Sequence, residues 1–386
     1  MKDFITFLTE SKVSKKKING LSVVSLLDFL KEEFFAQLEE SAPFLGATVR
    51  PFKPEELQAY LGRVSKQEKE SKDKYNMPYV HRSNIEVKGE AGEEYDLDKL
   101  KQSVITRPKQ ILKQNEKMQH SDGTSSIYFN IGLPALKGLA VNEKTGEFVI
   151  VDTCPGAGAC KVYCYAMKGG YVQWKASSLG TTRILNFLLN DPDGFKKALG
   201  HELSQAINKF EKKGTKIVVR WHDAGDFFSP EYTEFAYSIA REFPSISFYA
   251  YTKMANVAMS HKPENFIINF SEGAQPSQQK LIDFTRTKHS KVVPRELFTD
   301  LIAREGKMLK KDEQGRMQFK DHAALEEFKR RMAHKYALQI DTIITYDEMM
   351  KKPVGDHAHW NVLVWSGHGD DSANRRDVLG TYLLIH

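Results

Sequence analysis

The chain has 386 residues, of which 41% are hydrophobic and 27% charged, a composition typical of soluble globular proteins. No apolar run approaches the ~20 residues that a membrane-spanning helix needs, which excludes such a span and a membrane partner. The opening segment Met1–Glu10 has an early acidic residue and no small-residue cleavage site, so it is not a secretory signal. We therefore expect a cytoplasmic protein. The net charge of +6 weakly favours polyanionic partners, nucleic acid among them.

The first 124 residues differ in texture from the remainder, since glycine is sparse and no chemical motif is evident. The segment Asn84–Asp98 resembles a linker. We predict a mainly helical extension over residues 1–124, which packs on a main domain of residues 125–386 or contacts a partner. Three stretches have helical spacing or charge patterning: Val23–Leu38, Pro54–Lys74 and Lys99–Met118.

From Ser125 onward, short apolar runs alternate with helical stretches, which indicates a parallel sheet of an α/β protein. With six or more such units, we predict a complete or partial (β/α) TIM-like barrel, with an open doubly wound sheet as the alternative. The predicted strands are Ile127–Ile131, Glu147–Asp152, Lys216–Trp221, Ile246–Tyr251, Asn265–Phe270, Lys291–Pro294, Asp341–Thr345 and Asn361–Trp365. The predicted helices are Tyr171–Leu189, Gly194–Lys212 with Asp193 as N-cap, Pro230–Glu242 capped by Ser229, Pro276–Lys288, and a helical insertion within Glu296–Tyr336.

All three cysteines of the chain, Cys154, Cys160 and Cys164, fall within eleven residues. A secreted disulfide framework would disperse an even number of cysteines, whereas clustered cysteines in the cytosol indicate a metal site. Three close thiolates can bind three irons of a cubane cluster, so we predict a 4Fe-4S or 3Fe-4S iron–sulfur cluster. Zinc on three cysteines and a histidine, reduced thiols packed as small hydrophobes, and a thiol nucleophile are the alternatives.

The residues between and beside the cysteines suit a cluster. Gly156 and Gly158 would let the backbone and its amide groups approach the inorganic core. Tyr163, Tyr165 and Met167 would shield the cluster from water.

Four polar residues follow the strand Lys216–Trp221, at the end where barrel active sites lie: Arg220, His222, Asp223 and Asp226. Period-two alternation puts Arg220 and His222 on one face. His222 is a candidate fourth cluster ligand or proton donor, and the two aspartates would orient it or bind a cationic substrate. The alternative is a network of turn and cap hydrogen bonds.

Two further groups of polar residues end later strands. Lys253, after the next strand, is a candidate anchor for an anion or carboxylate, and Glu272 lies at a similar position. Near the chain end, His357, His359 and His368 could form a separate metal site, but for at least two of them we favour the alternative of a hydrogen-bonding residue. Gly367 and His368 also belong to a glycine-containing turn that could bind phosphate or a cofactor.

Three blocks together resemble a family of phage- and prophage-encoded "gene product" iron–sulfur proteins, similar to the radical-SAM barrels: the segment Thr153–Ala166, Arg220–Phe228 and Phe248–Lys253. The resemblance covers Ser125–His386. It implies a phage origin, a host cytoplasmic location and a cluster at the mouth of a barrel. It also makes S-adenosylmethionine a candidate ligand of the open iron. Radical-SAM enzymes typically carry Cys-x3-Cys-x2-Cys, whereas the spacing here is wider and reversed in order.

Three functions therefore stay open. The protein is an iron–sulfur enzyme of radical-SAM or redox type, acting on a small molecule or a macromolecule of host or phage. Alternatively, it is a non-catalytic iron–sulfur redox or sensor protein, or a zinc-stabilised nucleic-acid-binding protein.

Overall fold

The described part of the chain consists of a large parallel sheet, a small antiparallel sheet and the helices packed on them. The computed structural model describes residues 43–52, 97–114, 126–162, 164, 166, 175–293, 309–311, 317–336, 340–344, 349, 354–355, 358–364 and 373–384. Within these ranges, no helix combines the length and the apolarity that crossing a membrane requires.

The strands are β1 (Val49–Pro51), β2 (Ser126–Ile131), β3 (Lys137–Asn142), β4 (Glu147–Asp152), β5 (Lys216–Trp221), β6 (Ser247–Thr252), β7 (Phe266–Ser271), β8 (His289–Val293), β9 (Leu309–Lys311), β10 (Met317–Phe319), β11 (Thr342–Ile344), β12 (Trp360–Val364) and β13 (Val378–Leu384). The helices are α1 (Leu97–Ile105), α2 (Lys175–Asn190), α3 (Pro192–Phe210), α4 (Pro230–Glu242), α5 (Ala255–Ala258), α6 (Pro276–Gln279) and α7 (His322–Tyr336). Short 3-10 turns cover Pro43–Gly46, Ala159–Val162 and Glu211–Lys213.

Eight strands of the described residues form one sheet in the order β11-β12-β13-β8-β7-β6-β5-β2. Every neighbouring pair in it is parallel, which confirms the α/β class and the parallel sheet. Among the described strands, the predicted barrel closure is not found, because β2 and β11 stand at the two ends of the strand order and do not pair with each other. The order follows the chain from β2 to β8 and then reverses through β13, so the sheet is open with a switch between β8 and β13.

The main hydrophobic core lies between one face of this sheet and helices α2, α3 and α4. Alternate residues of β5, namely Ile217, Val219 and Trp221, point into this core and are buried. Helix α4 begins where predicted, with Ser229 Oγ accepting from Tyr232 N at 2.9 Å and Pro230 in the first turn, an arrangement that satisfies a free N–H group.

The small sheet has the order β1-β4-β3 and is antiparallel. A turn at residues 143–146 joins β3 to β4. Helix α2 completes the free edge of β3 with two asparagines one turn apart. Asn186 accepts from Val141 N and donates to Leu139 O, and Asn190 donates to Val141 O, so side-chain amides replace a neighbouring strand.

The described pieces of residues 1–124 pack against the main domain. Strand β1 pairs with β4, and Ser229 Oγ donates to Leu45 O at the start of α4. The predicted helix Lys99–Met118 is only partly helical, because α1 ends at Ile105. The predicted helices Val23–Leu38 and Pro54–Lys74 lie outside the described residues.

Several predicted elements differ in detail. Asp191, not Asp193, caps α3 by accepting from Gly194 N at 2.8 Å, because Pro192 takes the first helical position. The predicted helix Pro276–Lys288 is the single turn α6, followed by turns. The insertion within Glu296–Tyr336 contains the β9–β10 hairpin before helix α7.

Candidate functional site

The cysteine segment docks across the carboxyl ends of β5, β6 and β7. Thr153, which precedes it, donates through Oγ1 to Pro134 O at 2.7 Å and accepts from Asp226 N at 2.9 Å. Ala157 forms an antiparallel bridge with Ala274 after β7. These bonds hold the first half of the segment on the sheet edge where active sites of parallel sheets lie.

Gly156 and Gly158 permit this docking. A Cβ on Gly156 would lie 2.5 Å from Lys253 O, and one on Gly158 would lie 2.4 Å from Ala274 O. Both neighbours are backbone atoms, so a side chain could fit only if the main chain moved. Both glycines therefore have a role in packing the loop on the strand ends. Their predicted role in letting the backbone approach a cofactor stays a prediction.

The three cysteines are free thiols, each half-buried. Cys154 Sγ accepts from Leu136 N at 3.3 Å, and Leu136 has a left-handed backbone with φ 63°. Leu136 and Cys164 both pack against a small cluster of Ala135, Ala166 and Ala224. Cys160 N donates to Gly273 O at 3.4 Å.

The electrostatics of Cys154 reflect its neighbours. Burial raises the pKa of this thiol well above its usual value, and the charges of Asp226, Cys164 and Cys160 act in the same direction. Among the described residues, no three His, Cys, Asp or Glu side chains are grouped so that they could hold a metal ion.

Asp226 joins the β5 loop to the end of β6. Its Oδ1 accepts from Thr252 Oγ1 and Phe227 N, both at 2.7 Å, and its Oδ2 accepts from Lys253 N at 2.8 Å. Burial raises the pKa of this carboxyl to about 6, although these hydrogen bonds oppose the shift. The observed contacts match the alternative of a turn network.

Lys253, the predicted anion anchor, spans the ends of β6 and β7. Its Nζ donates to Ser271 Oγ at 2.7 Å, to Glu272 O at 2.9 Å and to Ser271 O at 3.2 Å. Three acceptors match the three hydrogens of an ammonium group, so the side chain holds the two strand ends together. Glu272 itself pairs with Lys291 at 3.1 Å.

Arg220 and Asp223 lie on the face of the sheet opposite the main core. The Arg220 guanidinium lies over the Tyr251 ring, 5.1 Å from its centroid. Asp223 Oδ2 accepts from Asn130 Nδ2 at 2.5 Å, and both residues are buried. Asn130 was not predicted from the sequence, although it precedes the end of β2 as Arg220 precedes that of β5.

His222 lies on the other side of the sheet, contrary to the alternation argument. Strand β5 ends at Trp221, and a φ of 69° at His222 turns its ring toward the core. There it packs edge-on against Phe227, with centroids 4.6 Å apart, and its Nε2 lies 2.7 Å from Tyr232 Oη. Burial, followed by the charge of Arg220, lowers its pKa to about 3, so the ring is neutral at physiological pH.

Several predicted residues cannot be placed. Tyr165, with Tyr163 and Met167, lies outside the described residues, as do Gly367, His368 and His357. His359 is described; it is exposed and packs against Trp360 at 5.3 Å between ring centroids.

Comparison with known proteins gives a family and two relatives. A family model described as "Gene product 88" matches residues 105–342. The "Gene 88 protein" of Mycobacterium phage D29 is 28% identical over 193 residues, which are 48% of this chain and 71% of that protein. The "Gene 88 protein" of Mycobacterium phage L5 is 28% identical over 174 residues, covering 43% of this chain and 65% of that protein. No solved structure matches. The predicted resemblance to phage gene products is thus confirmed.

Proposed function

We propose that this chain, which belongs to the Gene product 88 family, binds an iron–sulfur cluster on Cys154, Cys160 and Cys164. The proposal concerns the chemistry of one loop. Neither the family's description nor the names of the phage relatives state an activity.

The observation that carries the proposal is the hydrogen bond from Leu136 N to Cys154 Sγ. It lies beside a small alanine cluster against which both Leu136 and Cys164 pack. Backbone N–H groups directed at cysteine sulfur stabilise thiolates and tune cluster potential. Leu136 is held in a left-handed conformation to make this bond, a cost of roughly 1–3 kcal/mol that proteins tend to keep at functional sites.

The charges around Cys154 also favour a bound metal. As a thiolate, Cys154 would be buried beside Asp226 and two other thiols, each of which raises its pKa. A cationic iron centre would reverse this penalty, since coordinating thiols are deprotonated outright.

Within this proposal, the other residues position the loop. Asp226 and Lys253 tie the strand ends on which it docks. A cubane cluster on three thiolates would supply electron transfer or an iron with one open coordination position. That position is where S-adenosylmethionine or a substrate would bind.

Anaerobic purification tests the proposal directly. We expect a brown protein that absorbs visible light and, on analysis, about three or four irons and matching sulfide per chain. Replacing Cys154, Cys160 or Cys164 by Ser should each remove most of the iron, whereas the control Ser204→Ala, an exposed hydroxyl on α3, should retain it.

A colourless protein without iron, or one with one zinc per chain, would overturn the proposal, and zinc would favour the nucleic-acid-binding alternative. If the protein contains iron and sulfide, adding S-adenosylmethionine to the reduced protein distinguishes a radical enzyme from a redox or sensor protein. Release of deoxyadenosine and a changed electron paramagnetic resonance signal indicate the enzyme.

A further inference from the structure

A row of polar side chains crosses the sheet face opposite the main core. Lys113 and Asn130 form an antiparallel bridge, with main-chain bonds of 2.9 and 2.7 Å, and Asn130 is in register with Arg220 on β5. Paired residues project from the same face at a strand spacing of about 5 Å. Lys113, Asn130 and Arg220 therefore lie side by side.

The amide of Asn130 points an unused acceptor into this row. Its Nδ2 donates to Asp223 Oδ2 at 2.5 Å, and because a carboxylate only accepts, this bond fixes which amide atom is the oxygen. Asn130 is only 2% exposed, and its Oδ1 has no hydrogen-bond partner among the described residues. A buried acceptor of this kind needs a donor, from protein or ligand.

Two glycines leave room for the charged ends of the row. A Cβ on Gly132 would lie 2.2 Å from Asp223 Oδ1, and one on Gly180 would lie 3.0 Å from Lys113 Nζ. A side chain at either glycine would therefore displace the carboxylate or the ammonium group.

The charges are complementary to a zwitterion. Lys113 and Arg220 are cationic, and Asp223 is anionic. Burial lowers the pKa of Lys113, and the charge of Asp223 acts in the opposite direction. Two cations fit a carboxylate, while Asp223 and the Asn130 oxygen fit an ammonium group.

We propose that Lys113, Asn130, Arg220 and Asp223 form a binding site for a small molecule with the carboxylate and ammonium groups of an α-amino acid. The ligand carboxylate lies between Lys113 and Arg220, and its ammonium group donates to Asn130 Oδ1 and Asp223. The site neighbours the cysteines, since Ala224 packs with Cys164, but it needs no cluster.

Isothermal titration of the full chain with each neutral L-amino acid tests the site, with acetate, ethylammonium and inorganic phosphate at equal ionic strength as comparison probes. We expect at least one amino acid to bind at least tenfold more tightly than acetate or ethylammonium. Iron is counted in the same samples, so a missing cluster and a missing amino-acid site are told apart.

Two variants locate the site. Lys113→Met should weaken amino-acid binding at least tenfold, whereas Lys216→Met, an exposed lysine at the start of β5, should leave it unchanged. Gly180→Ala should fold well, because Ala favours helices and the close atom is the tip of a flexible chain, yet it should also weaken binding at least tenfold by displacing the Lys113 ammonium.

Three outcomes overturn the proposal. One is that no amino acid binds more tightly than acetate or ethylammonium. Another is that phosphate binds best in a Lys113-dependent manner, which would make the site a phosphate site. The third is amino-acid binding that survives both Lys113→Met and Gly180→Ala.

Discussion

Gly158→Ala tests the docking of the cysteine loop on the sheet. The new Cβ would lie 2.4 Å from Ala274 O, 2.5 Å from Ala274 C and 2.7 Å from Gln275 N, about 1 Å inside ordinary contact. Overpacking of this kind costs about 1–3 kcal/mol. Undocking would break three hydrogen bonds that join the loop to residues 273–275. They run from Gln275 N to Gly156 O at 2.9 Å, from Gln275 Nε2 to Pro155 O at 2.7 Å and from Cys160 N to Gly273 O at 3.4 Å.

Because each such bond contributes about 1 kcal/mol net, strain and docking are of similar size, and the loop should separate from β7 before the fold is lost. We expect the free energy of unfolding in urea to fall by about 1–3 kcal/mol and the iron content to fall by more than half. Circular dichroism should stay that of the wild type.

The matched control is Gly200→Ala on α3. There the new Cβ would meet Phe243 at 3.5 Å, an ordinary contact, so Ala should stabilise the helix by about 0.4–1 kcal/mol and leave iron unchanged. Wild-type stability and iron content in Gly158→Ala would refute the docking described for this loop.

Three further predictions concern the rest of the fold. Tyr232→Phe removes the hydroxyl that accepts from Trp221 Nε1 at 3.1 Å and lies 2.7 Å from His222 Nε2. Because two buried groups lose their partner, the free energy of unfolding in urea should fall by about 2–4 kcal/mol, and a fall under about 1 kcal/mol would contradict these contacts. The Glu202 carboxylate accepts from the N–H groups of residues 111 and 112 at 2.7–3.1 Å. Glu202→Gln retains only one side-chain acceptor for these two groups, so the free energy of unfolding in urea should fall by about 1–2 kcal/mol. The exposed control Glu211→Gln should leave it unchanged. Burial lowers the pKa of Lys288 to about 7, so between pH 7 and its usual pKa of 10.5 the unfolded chain binds more protons at this residue than the folded chain. The free energy of unfolding should therefore rise by about 1 kcal/mol per pH unit from pH 8 to 10. Equal slopes of unfolding free energy against pH in the wild type and in Lys288→Met would exclude this contribution.

Local sequence signals predicted the elements whose boundaries are set by nearby residues. Strand β5 and helix α4 have the predicted limits, because strand alternation and the Ser229–Pro230 start are local features. Strand β3 was missed, since Gly138 and Ala140 weaken its pattern and its edge is completed by asparagines of α2. The open order of the described strands could not be told from a barrel, because alternation of strands and helices does not determine which strand neighbours which.

The candidate site was predictable in its location but not in the direction of its side chains. Lys253 and Asp226 lie at the strand ends as expected, but their hydrogen bonds are to neighbouring strand ends. Lys113 was not singled out from the sequence, because its place beside Asn130 depends on one isolated bridge. Both residues also lie far from the cysteines in sequence.

The backbone conformation explains where the alternation rule failed. Four non-glycine residues of the described chain have positive φ, and two of them, Leu136 and His222, lie at the edge that holds the cysteines. At His222 the left-handed turn moves the ring into the core, and at Leu136 it turns an N–H group toward Cys154. A left-handed leucine or histidine is unfavourable on local grounds, so sequence patterns predict neither. Such conformations persist only where surrounding contacts enforce them. At His222 those contacts are with Phe227 and Tyr232 in the core, whereas at Leu136 they are with the start of the cysteine loop, since Leu136 O accepts from Thr153 N at 3.1 Å.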